Sequence, residues 1–397
     1  SNGLEKRPKL RFPGFDEPYK QCRIGDIYAE RSQRGASDME LLSVTMNDGV
    51  MPRSEIEGKD NSSEDKSNYK VVLTGDMVYN SMRMWQGANG ISPCDGIVSP
   101  AYTVLMPKIP ISNGYFAAFF KSPNLINEFR KNSQGMTSDT WNLKYPQIET
   151  IKVCIPALSE QNRVADMLRT LERRIAKQAQ LVDNLKKYKR GLLSREFGQQ
   201  ENGDLNNRYV GKLKDYFHLS SGSTPSSTNR AFYSGNIRWV SSGELKPKYL
   251  CETSQHISSE AVSSCNLREY PANTLLVAMY GLEAAGVRGT ASILSVPATI
   301  SQACMAIQQT GEIDIEYLYY WYIYNGQWIG IRIAQGTKQQ NLSTDTLGNL
   351  RIHAPSCSKQ KKVCKLLSQI DYLIEKEGQK IDLLSSAKRG LLQQLFI

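Results

Sequence analysis

The sequence predicts an α+β fold in which two mixed α/β domains with curved sheets are separated by two long antiparallel coiled-coil helices. Three observations predict this fold: a duplicated helical segment, short β-rich runs in the chain that precedes each copy, and an ordinary apolar content. The 397 residues are 40% hydrophobic and 22% charged, so each half has enough apolar residues to bury a core of its own. We place the domain boundaries at residues 1–157, 158–198, 199–356 and 357–397.

The clearest feature of the chain is an internal repeat. When residues 155–197 are laid over residues 354–396 without gaps, an offset of 199, sixteen of the 43 pairs are identical. Both copies contain Lys-Arg-Gly-Leu-Leu near their ends, at residues 189–193 and 388–392. Each copy follows a proline, and Ser159 and Ser358 stand where they would cap a first helical turn. Self-similarity of this kind indicates a duplicated structural unit.

The apolar residues of both copies follow the 3-4 spacing of a coiled coil. A stripe this narrow is typical of a helix–helix seam rather than of a broad core face. Each stripe is interrupted by one polar residue at an equivalent position, Gln178 in the first copy and Glu377 in the second. A core helix of an adjacent domain would be the alternative, but two similar seams in one chain are natural partners. The residues that we assign to helix pairing are Leu168, Leu171, Ile175, Val182, Leu185, Leu367, Ile370, Ile374, Ile381 and Leu384.

The positive charge is concentrated on the two helical copies. The chain carries a formal charge of +10. Residues 159–197 contain ten basic and five acidic residues, and residues 358–397 contain eight basic and four acidic residues. A solvated helix face is the usual explanation of helical charge, but a repeated excess of one sign favours a polyanion or an acidic protein as the partner.

Several classes of site are not indicated. The eight cysteines form no Cys-x-x-Cys pair and only three histidines are present, which predicts reduced thiols of a cytoplasmic protein and no metal site. No apolar run reaches the length that a membrane span needs, so we expect no membrane association.

Outside the helical copies, in residues 4–157 and 199–356, the sequence alternates short β-rich runs with helical stretches. Glycine, proline, asparagine and serine punctuate these runs, as expected of a mixed α+β domain. The predicted strands are Val71–Leu73, Ile97–Leu105, Ile237–Val240, Thr274–Met279, Met305–Ile307 and Ile352–Ala354, and the predicted helices are Gly114–Phe120 and Ile315–Gln327.

Two kinds of polar loop are candidates for contacts with nucleic acid. The segment from Tyr79 to Gly90 mixes amide, guanidinium and aromatic side chains on a glycine-rich scaffold, and such side chains read base edges. The segment Ala334–Leu342 and its counterpart Gln134–Thr140 place short polar side chains around a glycine, which suits phosphate contacts. An ordinary surface turn explains each loop equally well. The predicted contacts in these loops are Asn80, Arg83, Trp85, Gln86, Asn89, Thr137, Ser138, Lys338, Gln339 and Gln340.

An ordered set of motifs in the second half carries a family resemblance. The set comprises Ser221-Gly-Ser-Thr-Pro-Ser-Ser-Thr-Asn-Arg, Asn236-Ile-Arg-Trp-Val-Ser-Ser-Gly-Glu-Leu, Thr274-Leu-Leu-Val-Ala-Met-Tyr-Gly, Ile300-Ser-Gln-Ala-Cys-Met-Ala-Ile and Gln335-Gly-Thr-Lys-Gln-Gln-Asn-Leu. In order and spacing it resembles the target recognition domain of type I restriction–modification specificity subunits. The first half is similar to the same family in Lys9-Leu-Arg-Phe-Pro-Gly-Phe and Gly96-Ile-Val-Ser-Pro-Ala-Tyr. Within these motifs and beside them we predict further DNA contacts at Thr224, Ser226, Arg230, Tyr280 and Arg288.

The resemblance implies a subunit that recognises DNA without being an enzyme. Each recognition domain would bind one half of a split, asymmetric double-stranded target, and the paired helices would set the gap and dock two methyltransferase subunits. Restriction/translocase subunits would complete the cleaving complex. The chain itself would hold no cofactor, because S-adenosylmethionine would belong to the methyltransferase subunits.

Two other functions stay open at this point. The basic helices suit a scaffold that binds acidic proteins without base recognition, and a single-chain nuclease is the enzymatic alternative. The residues agree with a non-catalytic role, since no Asn-Pro-Pro-Tyr-like adenine methyltransferase motif is present and neither Gly-Lys pair continues into a P-loop.

Overall fold

The computed structural model describes residues 8–396 apart from 36–37, 47–48, 59–61, 138–140, 199–208, 335 and 337–340. The chain forms two compact units. Unit 1 comprises residues 1–180 and 377–397, and unit 2 comprises residues 181–376. Each of the two long helices therefore contributes one part to each unit.

The described part of unit 1 begins with ten strands and four short helices. The strands are β1 Lys20–Arg23, β2 Tyr28–Glu30, β3 Leu42–Thr45, β4 Gly49–Pro52, β5 Lys70–Val72, β6 Met77–Asn80, β7 Asn89–Ile91, β8 Gly96–Val98, β9 Tyr102–Pro107 and β10 Lys152–Ile155. The helices are α1 Ile24–Ile27, α2 Asn113–Phe119, α3 Pro123–Asn132 and α4 Tyr145–Ile148, followed by the long helix α5 Leu158–Phe197.

A four-stranded sheet in the order β2-β9-β6-β7 forms the centre of unit 1, with small pairs β1–β10, β3–β4 and β5–β8 beside it. Alternate residues of β6 point to opposite faces of this sheet. Met77 and Tyr79 enter the core that α2 and α5 cover, whereas Val78 packs with valines on the other face. Strand β6 thus contributes side chains to two hydrophobic cores, one on each face of the sheet.

The described part of unit 2 repeats this composition. Its strands are β11 Tyr209–Lys212, β12 Phe217–Ser221, β13 Ile237–Val240, β14 Tyr249–Leu250, β15 Gln255–Ile257, β16 Leu275–Ala278, β17 Ala291–Leu294, β18 Thr299–Ile300, β19 Cys304–Gln309 and β20 Arg351–Ala354. Its helices are α6 Leu213–Tyr216, α7 Ser259–Ser264, α8 Ile315–Trp328 and α9 Thr344–Gly348, followed by the long helix α10 Cys357–Leu395.

The main sheet of unit 2 has five strands in the order β12-β19-β16-β17-β14, and a second sheet has the order β15-β13-β18. Strand β16 is central and entirely buried, which explains its uninterrupted apolar sequence. Leu275 and Val277 face the core under α8, while Leu276 and Ala278 face a second core.

The start of each unit has the same local structure. In unit 1, β1 pairs antiparallel with β10, and the backbone N–H of Arg23 donates to Asp26 at 2.7 Å. In unit 2, β11 pairs antiparallel with β20, and the backbone N–H of Lys212 donates to Asp215 at 2.7 Å. The acidic side chain satisfies a free donor at the helix start in both cases. The duplication therefore extends beyond the helical segments in which the sequence reveals it.

The long helices α5 and α10 contact each other antiparallel within each unit. In unit 1, Glu172 pairs with Lys388 and Gln178 with Glu377, so higher numbers on α5 meet lower numbers on α10. All ten residues assigned to helix pairing are buried or half-buried, although most of their neighbours on the same helices are exposed. In unit 2, Lys189 of α5 pairs with Asp371 of α10, so the antiparallel pairing is observed in that unit as well.

Several local expectations need correction. The helices begin at Leu158 and Cys357, so Ser159 and Ser358 lie inside the first turn and do not cap it. The predicted strand Ile97–Leu105 is two strands, because a turn at Pro100, closed by Tyr102 N–H donating to the Ser99 carbonyl at 2.9 Å, separates β8 from β9. The predicted strand Val71–Leu73 ends at Val72, and the other predicted strands and helices lie within about one to three residues of the observed ones.

Candidate nucleic-acid interface

The loop between β6 and β7 is a hydrogen-bonded turn that exposes three side chains, those of Met82, Arg83 and Gln86. Asn80 accepts a hydrogen bond from the backbone N–H of Met82 at 3.0 Å, and a short 3-10 helix follows at Met84–Gln86. The helix ends at Gly87, whose φ of +88° lies in the left-handed region that glycine adopts without strain. Arg83 and Gln86 are exposed and can reach a ligand directly.

Two other polar or aromatic residues of this loop support its structure. Asn89 is fully buried, and its amide donates to the Gly87 carbonyl at 3.0 Å. Tyr79 is also fully buried. Because neither side chain reaches the surface, the prediction that Asn89 contacts DNA does not fit the structure, and the Tyr79 ring is likewise out of reach of a ligand.

A second loop of unit 1 lies directly beside the first. The backbones of Gln134 and Asn142 exchange hydrogen bonds at 3.0 and 2.8 Å, and the N–H of Leu143 donates to the carbonyl of Ser81 at 2.9 Å. Thr137 is exposed at the far end of this loop, whereas Ser138 lies outside the described residues. The structure therefore brings together two segments that the sequence analysis treated separately.

Trp85 connects these loops and is only partly exposed. Its ring meets the edge of Trp141 at a centroid distance of 5.2 Å, and its Nε1 donates to the Met82 carbonyl at 3.1 Å. The exposed Arg130 of α3 lies 5.8 Å from the centre of the Trp85 ring, within cation–π range. Sequence reasoning missed Arg130 and Trp141, because only the tertiary fold places them next to the loop.

In unit 2, the loop after β12 presents hydroxyl groups and one arginine. Thr224, Ser226 and Arg230 are all exposed. Thr224 accepts from the backbone N–H of Gln302 at 3.3 Å. Gly222 is required, because a Cβ there would lie 2.2 Å from the carbonyl oxygen of Ile300. This loop therefore lies close against the turn that contains Gln302.

The loop after β16 exposes Tyr280 on its surface, whereas Arg288 of the same loop is hydrogen-bonded to the loop backbone. Tyr280 is 37% exposed at the end of the strand. Arg288 is half-buried, and its guanidinium donates to the carbonyls of Leu282 at 2.7 Å and of Glu283 at 2.9 Å. The two hydrogen bonds stabilise the conformation of the loop. This structural role accounts for Arg288 without a DNA contact.

The loop before α9 joins the same surface. The N–H of Leu342 donates to the carbonyl of Met279 at 2.8 Å, and the N–H of Met279 donates to Ala303 at 2.9 Å. These bonds anchor the end of the loop beside Tyr280. The predicted contacts Lys338, Gln339 and Gln340 lie outside the described residues.

The two units share this arrangement. The bond from Leu342 to Met279 in unit 2 corresponds to the bond from Leu143 to Ser81 in unit 1, since Leu143 and Leu342 are 199 positions apart, as in the repeat. In each unit, a loop that follows a central strand is tied to a loop that precedes the last strand. The side chains that these loops carry differ between the units, so their surfaces are chemically different.

A buried glutamine docks each globular domain onto its long helix. In unit 1, Gln161 donates to the Pro156 carbonyl at 2.9 Å and accepts from the N–H of Ser112, the residue before α2, at 3.0 Å. In unit 2, Gln360 donates to the Pro355 carbonyl at 2.8 Å and accepts from the N–H at the start of α8 at 2.9 Å. Both glutamines are among the identical residues of the repeat.

An aromatic residue from the other long helix completes each core. The ring of Phe396, directly after α10, stacks on Phe119 of α2 at a centroid distance of 5.4 Å. The ring of Phe197, at the end of α5, meets Tyr317 of α8 at 5.1 Å. Each globular domain is thus supported by the beginning of one long helix and the end of the other.

A charged cluster fixes α8 to α10 in unit 2. Glu316 accepts from Lys248 and from the hydroxyl of Ser368. Burial opposes ionisation of Glu316, but the hydrogen bonds from Lys248 and Ser368 prevail and lower the pKa of its carboxyl. Burial and the negative charge of Glu316 raise the pKa of Tyr249 to about 12.

The same region contains a group of potential metal ligands. Among the described residues, Asp314, Glu316 and Cys364 bring ligand atoms within 4.8 Å of one another. Asp314 caps α8 by accepting from the N–H of Glu316 at 2.8 Å, and Glu316 pairs with Lys248. Hydrogen bonds within the protein thus already use both carboxylates.

The described helices include none with the length and apolarity that crossing a lipid bilayer requires.

Comparison with known proteins identifies the domain in the second half. Residues 207–385 match the family model for the type I restriction modification DNA specificity domain. The chain is 29% identical over 192 residues to the specificity subunit of the type I restriction enzyme MjaIX from Methanocaldococcus jannaschii, a match that covers 47% of this chain and 43% of that protein. It is 23% identical over 248 residues to the specificity subunit of the Escherichia coli enzyme EcoR124I/EcoR124II, covering 61% of this chain and 60% of that protein. The matched region is thus less than two thirds of either relative's length.

The fold of the whole chain has a counterpart among solved structures. The S subunit of a type I restriction–modification system from M. genitalium superimposes with a TM-score of 0.60 and 14% identity, over 98% of this chain and 99% of that one. The match extends the likeness to the first half, which the family model does not cover. Residues 207–385 thus match a type I restriction modification DNA specificity domain, and the fold of the whole chain is similar to that of the solved S subunit.

Proposed function

We propose that the chain recognises double-stranded DNA by sequence and that each unit binds one half of a bipartite, asymmetric target. The observation that carries this proposal is the pair of equivalent loop surfaces. In each unit two polar loops are tied together by the same backbone hydrogen bond, from Leu143 to Ser81 or from Leu342 to Met279. Loops on a rigid scaffold are where proteins place binding residues.

The difference between the two surfaces supports an asymmetric target. Unit 1 offers Arg83 and Gln86 beside Trp85, and unit 2 offers Thr224 and Arg230. Arginine suits guanine edges and glutamine suits adenine edges, while hydroxyl groups suit phosphates and either base. Two unlike surfaces in one chain would recognise two unlike half-sites.

The remaining parts of the proposal concern partners and chemistry. The long helices would set the gap between the half-sites and dock two methyltransferase subunits, which would bind S-adenosylmethionine. Restriction/translocase subunits would join the full complex. The chain itself would be non-catalytic, so purified chain incubated with S-adenosylmethionine and unmethylated DNA would transfer no methyl groups.

An exchange of one recognition unit tests the proposal. Residues 8–157 are replaced by the corresponding segment of a relative with a different target, and methylated adenines are mapped in DNA from cells that carry the complete system. We expect one half of the methylated sequence to change and the other half to stay.

The reciprocal exchange of residues 209–356 is the matched control, and it should change only the other half. A methylated sequence that neither exchange alters would contradict base recognition. That result would favour instead a scaffold whose basic helices bind acidic proteins.

A further inference from the structure

One inner strand of each main sheet ends in the same backbone arrangement. Ser81 follows β6, and its N–H donates to the carbonyl of Ala101 at 3.3 Å. Met279 follows β16, and its N–H donates to the carbonyl of Ala303 at 2.9 Å. The carbonyls of Ser81 and Met279 both accept from the second loop of their unit, at 2.9 and 2.8 Å. Ser81 and Met279 therefore occupy equivalent positions of the two units.

The residue after each of these positions leaves its sheet at an equivalent point. It is Met82 in unit 1 and Tyr280 in unit 2. The strand before it pairs antiparallel with β9 in unit 1 and with β19 in unit 2, and the order β2-β9-β6-β7 corresponds to β12-β19-β16-β17. The repeat offset of 199 would align Met82 with Gly281 instead, so only the strand pairing reveals the equivalence.

Both residues carry large and mainly apolar side chains that are exposed. Met82 is 42% exposed and Tyr280 is 37% exposed. A single exposed apolar residue is ordinary on a protein surface. Here the two stand at one equivalent position, although the loops that begin with them, Met-Arg-Met-Trp-Gln in unit 1 and Tyr-Gly-Leu-Glu-Ala in unit 2, are otherwise unlike. Similar chemistry at one equivalent position of unlike loops indicates a shared role.

The backbone around both side chains is held in place. The N–H of Met82 donates to the Asn80 side chain at 3.0 Å, and the Met82 carbonyl accepts from Trp85 Nε1 at 3.1 Å. Tyr280 is followed by Gly281, whose φ of +79° is a conformation that glycine adopts without strain. Each exposed side chain therefore extends from a fixed backbone, as a contact that distinguishes one base pair requires.

The surface of DNA limits what such a side chain can contact. Base edges in the major groove present hydrogen-bond donors and acceptors, and the 5-methyl group of thymine is the apolar group among them. The minor-groove edges present no methyl group, and insertion between bases would require base pairs to unstack. An apolar contact with a thymine methyl group therefore buries these side chains without disturbing the duplex.

We propose that Met82 and Tyr280 are specificity-determining residues and that each contacts the 5-methyl group of one thymine in the half-site of its own unit. This inference rests on the proposed function, and it assigns Met82 and the exposed Arg83 beside it to different features of the target. The arginine donates hydrogen bonds, whereas the methionine distinguishes thymine only by its methyl group. Removing either apolar side chain should therefore relax one position of one half-site and leave the remaining positions unchanged.

Alanine variants test this assignment in cells that carry the complete restriction–modification system. Methylated adenines are mapped for Met82→Ala and for Tyr280→Ala. We expect each variant to accept other bases at one position where the unchanged protein requires a T·A pair, in one half-site for Met82→Ala and in the other for Tyr280→Ala. Tyr280→Phe keeps the apolar ring and should keep the unchanged target.

Deoxyuridine tests the methyl contact itself, because it pairs as thymidine does and lacks only the 5-methyl group. Replacing the thymine at the relaxed position of a synthetic target duplex should lower kcat/KM of methylation by the unchanged complex about fourfold, the effect of one buried methyl-sized group. The alanine variant for that half-site should methylate both duplexes at the same rate, because it makes no contact with the methyl group. Equal rates for both duplexes with the unchanged complex would overturn the proposal.

The matched controls are exposed apolar residues away from these loops. Ile109 is 43% exposed after β9, at the opposite end of the sheet from Met82, and Val210 is 55% exposed on β11. Ile109→Ala and Val210→Ala should leave both half-sites unchanged. A target that Met82→Ala and Tyr280→Ala also leave unchanged, with or without a loss of methylation, would refute the assignment.

The exchange of residues 8–157 separates this failure from a failure of the proposed function. If the exchange alters one half-site and the alanine variants alter none, only the thymine contact is wrong. If the exchange alters neither half-site, the chain does not recognise bases and the proposed function is wrong as well.

Discussion

Residues that look alike in the sequence take different roles in the loops of unit 1. Arg83 and Asn89 belong to the same glycine-rich segment, and both suit base recognition by their chemistry. The structure leaves Arg83 exposed and buries Asn89 completely. Accessibility, which depends on the fold around the loop, separates a candidate contact from a structural residue.

We predict opposite phenotypes for these two residues. Arg83→Ala should weaken DNA binding by about 1–3 kcal/mol and leave thermal unfolding unchanged, because the side chain is exposed. Asn89→Ala should lower the melting temperature, since its buried amide bonds the Gly87 carbonyl. Fluorescence anisotropy with target DNA and scanning calorimetry measure the two effects. If Arg83→Ala and Asn89→Ala weaken DNA binding equally and both melt like the wild type, the assignment of a purely structural role to Asn89 is wrong.

A second prediction concerns the two buried glutamines of the repeat, Gln161 in unit 1 and Gln360 in unit 2. Gln161→Leu removes the partners of a buried N–H at Ser112 and of the Pro156 carbonyl, and Gln360→Leu has the same effect in unit 2. Each unsatisfied buried group costs about 1–3 kcal/mol. We therefore expect each variant to lower the free energy of unfolding by several kcal/mol.

The control for the glutamines is Gln180→Leu, which alters an exposed glutamine of α5. Calorimetry of the three variants should show destabilisation by Gln161→Leu and Gln360→Leu only. Wild-type stability of these two variants would mean that the hydrogen bonds do not hold the domains on their helices.

At the scale of elements, polar contacts between helices accompany the apolar packing. In unit 2, α8 is attached to α10 by the cluster around Glu316, Lys248 and Ser368. The helix α8 is apolar on nearly all sides, so this cluster adds directional contacts to its apolar packing. Its strength depends on the ionised carboxylate.

This dependence predicts acid sensitivity of unit 2. The pKa of Glu316 is lowered in the folded protein, so its contribution to stability is complete above the ordinary glutamate pKa and is lost as the pH falls through the folded pKa. We expect the melting temperature of the wild type to fall more steeply in acid than that of Glu316→Gln, which cannot ionise. If calorimetry shows that the melting temperatures of the wild type and of Glu316→Gln change with pH in parallel, the cluster does not contribute to stability.

At the scale of the whole molecule, the net charge of +10 governs binding at a distance. Phosphate contacts by lysine and arginine release condensed counterions from DNA, so affinity falls steeply with salt. The excess of basic residues lies on the two long helices, whereas the candidate base contacts lie on the loops. Affinity and specificity should therefore respond differently to mutation.

We predict that removing helix charge lowers affinity without changing the target. Arg173→Ala with Lys187→Ala, both at exposed positions of α5, should reduce the slope of log affinity against log salt by about one unit for each phosphate that the protein no longer neutralises. The ratio of target to non-target binding should stay constant. A changed preference among sequences, measured by anisotropy over a salt series, would contradict this division of roles.

The sequence by itself determined the duplication, the two long helices, their seam and the type of both domains. These features follow from local periodicity and from a self-match of 199 positions, neither of which requires knowledge of distant contacts. The positions Gln178 and Glu377 were visible as interruptions of the seam for the same reason. The motif order also pointed to the family.

Only the tertiary structure decided which polar residues face outward and which loops lie together. The burial of Asn89, the closing of a loop by Arg288 and the approach of Arg130 to Trp85 all depend on contacts between segments distant in the chain. The pairing of Gln178 with Glu377 likewise required the antiparallel alignment of the helices. Hydrophobic spacing records which face of an element is buried, but it carries no information about which polar group that face will meet.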